Sequence, residues 1–340
     1  MLGSQILVWL QYLACLAIIL FAGTKLARYG DAIGEKTGVG GLWIGLVLLA
    51  AITSVPELVT GVSSVALVGL PDLAVGTLLG SCLFNLTLIA LLDFLCRKTP
   101  VLSRVRMRHI ASAAIGVVLL AVVGGTMLAG EALSAVKLGW VGVPSILIII
   151  FYLVAVRQLF VYERRHPVKS EGELPRYDNL SLKAVWFRFS LAAAAVIGAG
   201  IWISFVGDDI AASTGWGASF VGSLFLAIGT SMPELVVTVA ALRLGATDMA
   251  VADILGSNMF NIAIIFAVDL FYTKGSILSS VANSNLITVA MAITASLLII
   301  FGLRFRRQRK LLFFSSWYSP PLLALYVLGA YFLFRAGIGL

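Results

Sequence analysis

The segment Ala51–Gly61 reads AITSVPELVTG, and Ala227–Val239 reads AIGTSMPELVVTV. Each sets Thr-Ser-x-Pro-Glu-Leu inside a long hydrophobic run. An ionisable residue in such a run is costly, and proline there removes one helical hydrogen bond and crowds the preceding turn. A chain that does this twice must fold around both interruptions.

Of the 340 residues, 60% are hydrophobic and 12% charged, with a mean hydropathy of +1.04. Apolar runs of about 20 residues recur along the chain, the pattern of a polytopic helical membrane protein. The expected fold is an all-α integral membrane protein. Ten spans are predicted, at residues 4–26, 39–68, 72–96, 108–129, 138–160, 184–206, 217–243, 247–272, 284–304 and 316–337. The second and seventh are long enough to be tilted or interrupted. The first apolar run, 6–20, has no basic leader and no small-residue cleavage site, so it reads as a retained span and not a signal peptide.

Charge sets the expected orientation. Of the 24 Lys and Arg residues, 21 fall in 25–38, 97–108, 157–188, at Arg243 and in 304–310; Lys137, Lys274 and Arg335 are the other three. With both termini outside, the 21 share the inner face, as the positive-inside rule requires. The net charge of +8 is then a topology signal facing anionic lipid, and nucleic acid is not an expected partner.

Cys15, Cys82 and Cys96 lie in or at the end of predicted spans without CxxC spacing, which points to neither a disulfide framework nor a zinc site. His109 and His166 fall at the cytoplasmic rim and read as solvated or interfacial. With no nucleophile–base set and no His in the spans, an enzyme is not expected.

The chain repeats itself. At an offset of 177, GDAIGEKTG (30–38) lies over GDDIAASTG (207–215), and TSVPELV (53–59) over TSMPELV (230–236). At 176, PDLAVGTLLGSCLFNL (71–86) lies over TDMAVADILGSNMFNI (247–262), and Asp93 over Asp269. Five spans per half place the second copy in the opposite orientation. Two inverted five-helix repeats are therefore expected, residues 1–160 and 184–340, joined by a cytoplasmic linker, 161–183. Inverted repeats with a polar motif mid-span point to alternating access around a central site.

The motif residues have a common chemistry. Pro56 frees the carbonyl of Ile52, and a broken helix survives in hydrocarbon only where it faces protein, water or an ion. Thr53, Ser54 and Glu57 add hydroxyl and carboxylate oxygens, and Thr230, Ser231 and Glu234 repeat them. A second motif carries Ser81 and Asn85 in one half, Ser257 and Asn261 in the other; residues four apart share a helix face. The glycines before each serine permit close helix approach. Two such half-sites form an all-oxygen, doubly negative cage suited to Ca²⁺ or a few Na⁺ ions.

These residues resemble the cation/calcium exchanger superfamily, most closely its sodium/calcium exchanger branch, whose two inverted repeats carry GTSxPE followed by GSNxxN or GSNxxD. GTSMPE (229–234) and GSNMFN (256–261) match; ITSVPE (52–57) lacks the first glycine, and GSCLFN (80–85) has Cys82 for Asn. The ten-span plan covers the whole chain, without the long regulatory insertion of animal members. The resemblance implies Glu57 and Glu234 as central ion ligands, completed by Thr53, Ser54, Thr230, Ser231, Ser81, Ser257, Asn85 and Asn261. It implies Ca²⁺ and Na⁺ as transported ions and no cofactor.

One departure concerns charge. Sodium/calcium members often carry Asp where this chain has Asn261, whereas Asp253 stands where the family often has Asn and the first repeat has Thr77. Asp253 shares a helix face with Ser257, ~6 Å away along the axis, and Asn261. Two readings stand: a relocated ligand or proton acceptor at the inner mouth, or a group bonded to a neighbouring helix. Asp72 and Asp248 read as helix N-caps. Asp93 has Arg97 as an i+4 partner and Asp269 has Lys274 nearby; each either lines an ion path or has a structural role. Cys82 reads as a small packing residue.

The expected function is secondary antiport of Ca²⁺ for Na⁺ across a plasma membrane. The alternatives are H⁺- or K⁺-coupled exchange, or another divalent cation, on the same fold, and a channel using the two glutamates as a selectivity ring. The ion pair, stoichiometry and oligomeric state are left open by the sequence.

Overall fold

The computed structural model describes residues 2–37, 50–96, 99–130, 136–165, 181–243, 245–306, 310 and 315–337. The long helices are α1 (Leu2–Thr37), α4 (Pro71–Leu95), α5 (His109–Ala129), α6 (Val143–Arg165), α7 (Leu182–Thr214), α11 (Thr247–Phe271), α13 (Asn285–Arg304) and α14 (Ser319–Gly337). All eight are long and apolar enough to cross a membrane. Two further segments are broken. The first is α2 (Ala50–Thr53) and α3 (Val55–Ser63), which ends in a π-turn, Ser64–Val68. The second is α8 (Ala218–Val221), a π-turn at Gly222–Leu226, α9 (Ala227–Thr230) and α10 (Met232–Arg243), bent by 45° at Ser231. The predicted span 39–68 is described only from Ala50.

Most predicted spans coincide with helices to within a residue or two, but three do not. The predicted spans 4–26 and 184–206 sit inside α1 and α7, which run well beyond them. These two helices pack along each other, so their ends are held by a helical neighbour after apolarity runs out. The fifth helix starts at Val143, five residues later than predicted. Its expected start is taken by a small hairpin, Lys137–Leu138 with Val141–Gly142, which turns through Gly139 at a φ of +68°.

α4 and α11 are buried on nearly every face, while α1, α6 and α14 leave broad apolar surfaces exposed, as lipid-facing helices do. α4 and α11 pack against each other and against both broken segments. The approach is close because side chains are missing there. A Cβ on Gly80 would fall 2.4 Å from the Cα and carbonyl oxygen of Ser223, and one on Gly222 would fall 2.5 Å from the Leu73 carbonyl oxygen. Backbone thus lies on backbone between α4 and the second broken segment.

The polar contacts come in exchange-related pairs. Asp72 and Asp248 occupy the first turns of α4 and α11, but they are not N-caps; those positions hold Leu70 and Ala246. Asp72 accepts from the Ala282 amide at 2.7 Å and from Asn285 Nδ2 at 2.8 Å. Asp248 accepts from the Arg106 amide at 2.8 Å and from His109 Nε2 at 2.9 Å. Both donor pairs are related by the offset of 176. Arg108 Nη2 adds a contact to Asp248 at 2.7 Å. His109 is therefore a buried bonding partner, not a solvated residue, while His166 lies outside the described residues.

The far ends of the same helices behave alike. Asp93 accepts from the Val101 amide at 3.0 Å and Asp269 from the Ile277 amide at 2.7 Å, again 176 apart. Asp93 also accepts from the Ser316 amide and hydroxyl, Tyr318 Oη and Ser319 Oγ, and pairs with Lys310 at 3.6 Å. Asp269 takes the Gly142 amide at 2.8 Å. These aspartates hold loops in place, and Arg97, the expected partner of Asp93, lies outside the described residues.

Candidate ion-binding site

Each broken segment stops its helix where the motif demands. Ser54 caps α3 with a φ of −86° and a ψ of 12°, and Pro56 stands in the first turn. Ser231 has the same φ and ψ between α9 and α10, with Pro233 following. The two prolines lack an amide hydrogen, so the carbonyls of Ile52 and Gly229 lose their usual i+4 donors. The glutamates fall in the first turns of α3 and α10 and are fully buried.

The serines bond across the halves. Ser54 Oγ donates to Glu234 Oε1 at 3.1 Å, and Ser231 Oγ donates to Glu57 Oε1 at 2.7 Å. Ser81 Oγ on α4 also donates to Glu57 Oε1 at 3.3 Å, and lies 3.5 Å from Thr230 Oγ1. Ser231, Ser81 and Thr230 thus gather around Glu57 while Ser54 bonds Glu234, two bonded groups held side by side because each motif gives its serine to the other half's glutamate. Thr53 turns back to the Ala50 carbonyl at 3.2 Å, and Thr230 to that of Leu226 at 3.0 Å.

The remaining residues proposed from sequence are buried but unbonded. Among the described residues, both amide atoms of Asn85 and of Asn261, Ser257 Oγ, both carboxylate oxygens of Asp253, and Oε2 of each glutamate have no hydrogen-bond partner. Buried polar atoms are bonded in the great majority of cases. Buried, unpartnered oxygens on the broken segments and on α4 and α11 are the kind of donor a cation requires. The expected bond from Asp253 to a neighbouring helix is not found among the described residues.

The two half-sites meet at a pair of equivalent residues. Cys82 and Asn258 are equivalent at the 176 offset, and they touch: Asn258 Nδ2 donates to the Cys82 carbonyl at 3.1 Å, and Cys82 Sγ lies 3.6 Å from the Asn258 carbonyl. Cys82 is fully buried there, between α4 and α11.

Sequence reasoning missed one supporting contact. Tyr12 Oη on α1 donates to the Phe225 carbonyl at 2.8 Å, inside the π-turn that precedes GTSMPE. A π-turn displaces carbonyls from their regular partners, and Tyr12 satisfies one. Neither a motif nor the repeat marks this tyrosine.

The profile of the sodium/calcium exchanger protein family matches residues 7–161 and 184–336. The chain belongs to this family. Its members are transporters, so this exchanger is a cation antiporter and not an enzyme. It is 29% identical over 275 residues to the inner membrane protein YrbG of Escherichia coli, covering 77% of this chain and 79% of that protein. It is 39% identical over 111 residues to the sodium/calcium exchanger MaX1 of Methanosarcina acetivorans, covering 32% and 30%. Among solved structures, native YfkE superposes with a TM-score of 0.64 at 20% identity, covering 98% of this chain and 95% of that one. The sodium-calcium exchanger NCX_Mj, soaked with 10 mM Na⁺ and 10 mM Sr²⁺, superposes at 0.62 with 19% identity, covering 95% and 97%. The exchanger therefore has the membrane fold of these proteins.

Proposed function

We propose that this antiporter exchanges Ca²⁺ for Na⁺ by alternating access at the cluster around Glu57 and Glu234. One observation carries the reading: Ser54 and Ser231 each bond the carboxylate of the other half, so the two buried carboxylates are held side by side. Two negative charges away from water are tolerated only when they are compensated. One Ca²⁺ or two Na⁺ supplies the same charge, and the two loads exclude each other. Thr53, Thr230, Ser81, Asn85 and Asn261, with the carbonyls released by Pro56 and Pro233, complete an oxygen shell of the kind Ca²⁺ takes.

In this reading the chain crosses a plasma membrane ten times with both termini outside. Residues 1–160 and 184–340 form two inverted repeats, and 161–183 forms the cytoplasmic linker. Alternation is the sliding of α1 and α7, which pack on each other, against the remaining core. Gly23 supports this: its missing Cβ would sit 2.4 Å from Pro233 Cγ, so α1 runs flush against the motif proline. The name of MaX1 and the Na⁺ and Sr²⁺ soaks of NCX_Mj agree with these ions.

The test is ⁴⁵Ca²⁺ uptake into proteoliposomes under an outward Na⁺ gradient, and separately under an outward H⁺ gradient. Uptake driven by Na⁺ and abolished by Glu57→Gln and by Glu234→Gln is the expected result. Uptake driven by H⁺ alone moves the protein to proton coupling. Non-saturating flux that needs no counter-ion makes it a channel.

A further inference from the structure

α11 carries Asp253, Ser257 and Asn261 at four-residue intervals, hence on one face. All three are buried, Asp253 at 1% exposure and the others at zero. Both Asp253 oxygens, Ser257 Oγ and both Asn261 amide atoms lack hydrogen-bond partners among the described residues. Five such atoms along a single helix face form a polar track with nothing of the protein bonded to it.

The equivalent face of α4 is bonded at two of its three polar positions. Thr77 stands in the place of Asp253, and its hydroxyl donates to the Leu73 carbonyl at 2.7 Å. A Cβ on Gly222 would sit 3.0 Å from the Thr77 amide, so backbone covers this stretch directly. Ser81, the equivalent of Ser257, is committed to Glu57. The two halves therefore differ at two of the three positions: Asp253 and Ser257 are unbonded among the described residues where Thr77 and Ser81 are bonded, while Asn85 and Asn261 are alike unbonded.

Asp253 precedes Ser257 by one helical turn, ~6 Å along the axis, so it is displaced from the level at which the equivalent Ser81 meets Glu57. No three His, Cys, Asp or Glu side chains among the described residues are grouped to hold one ion. Asp253 lies eight residues before Asn261, ~12 Å along the helix axis. Among the described residues Glu57, Glu234 and Asp253 are therefore not gathered as ligands of one ion, and Asp253 is the one that lies toward the start of α11.

We propose that Asp253 and Ser257 form a second cation subsite, taking one monovalent cation such as Na⁺, displaced along α11 from the central cluster. The proposal rests on the central-site reading above and adds a third bound charge to it. A single carboxylate with a hydroxyl matches a monovalent ion; Ca²⁺ takes six to eight oxygens and more than one negative charge. The subsite exists in one half only, so it makes the transport core asymmetric about the Cys82–Asn258 contact.

Equilibrium binding of ²²Na⁺ and ⁴⁵Ca²⁺ to the purified full-length protein in detergent tests this. The variants are Asp253→Asn, Ser257→Ala, the double variant Asp253→Asn/Asn261→Asp, and Glu57→Gln/Glu234→Gln. Asp253→Asn is expected to bind one Na⁺ fewer per protein than wild type. Moving the carboxylate to position 261, ~12 Å along the axis and inside the central shell, is expected not to rebuild the subsite, so Asp253→Asn/Asn261→Asp should still lack the Na⁺ held at Asp253; its restoration would overturn the proposal. Ser257→Ala is expected to weaken the last Na⁺ bound by about tenfold, and it gives the answer if Asp253→Asn does not purify as a folded protein. An unchanged Na⁺ count in Asp253→Asn overturns the subsite. So does a loss of Ca²⁺ affinity in that variant larger than its loss of Na⁺, which would place Asp253 in the central site. If Glu57→Gln/Glu234→Gln keeps full Ca²⁺ binding, the central reading fails, and the Na⁺ count still decides Asp253 on its own.

Discussion

Ser231 Oγ lies 2.7 Å from Glu57 Oε1, the shortest of the bonds that join the two halves at the cluster. The serine ends one helical piece and the glutamate starts another, 174 residues earlier in the chain. Its counterpart, Ser54 to Glu234, is longer at 3.1 Å. Glu57 has a second donor in Ser81, whereas Ser257, the equivalent of Ser81, is unbonded among the described residues.

That asymmetry sets unequal roles for the two serines. A hydrogen bond to a charged group contributes about 1.5–3 kcal/mol, a factor of roughly 10–100 in affinity. Ser231→Ala is expected to weaken Ca²⁺ binding within that range. Ser54→Ala should weaken it less, because its bond is longer. Titrating ⁴⁵Ca²⁺ uptake against external Ca²⁺ compares the two, and equal effects would contradict the ranking.

Gly80 should tolerate no side chain. Its Cβ would meet the Ser223 backbone at 2.4 Å, and backbone cannot yield as a flexible side chain does. Gly80→Ala is expected to lower stability by more than about 3 kcal/mol, the upper end of ordinary overpacking. Gly116 is the control, because a methyl group added there would meet nothing within 4 Å; Gly116→Ala should behave as wild type. Thermal unfolding in detergent reads both.

Asp93 is predicted to be structural. Removing its carboxylate strips acceptors from two amides and three hydroxyls and takes the counter-charge from Lys310. Breaking a buried pair from one side costs about 3–5 kcal/mol. Asp93→Ala should therefore fall sharply in unfolding temperature. A variant of normal stability with altered ion dependence would instead put Asp93 on the ion path.

His109 and Asn285 do the same work at opposite ends of the repeat, each donating to the first-turn aspartate of the other half's central helix. His109→Asn should consequently retain more stability than His109→Ala, whose loss of one donor and of packing is expected to cost about 1–2 kcal/mol. Equal unfolding temperatures for the two variants would show that the bond contributes nothing.

Much of this is legible in the chain. The apolar runs mark the helices, and the offsets of 176 and 177 pair the motifs that the structure brings together. The glutamates are marked by their cost in an apolar run, and the breaks by proline. Other assignments fail for a common reason. Asp72 and Asp248 read as N-caps but accept from backbone amides of distant loops, and an amide donor leaves no trace in residue identity; for Asp93 and Asp269 the structural reading holds, but the loops they bind are not legible. His109 misleads in the same way: a histidine at a rim looks solvated until the aspartate that buries it is located.

The sequence by itself determined that helices form, where two of them break, and that the breaks are copies of each other, because apolarity, proline geometry and self-similarity are properties of the chain. Only the tertiary structure decided that each serine bonds the other half's glutamate, that the equivalent residues Cys82 and Asn258 meet, and that the oxygens of Asp253 are unbonded among the described residues. Those outcomes depend on how closely α4 and α11 approach the broken segments. That distance is set by backbone packing at Gly80 and Gly222; the glycine before Ser81 marks a close approach in the chain, but the backbone it meets, at Ser223, is chosen only by the fold.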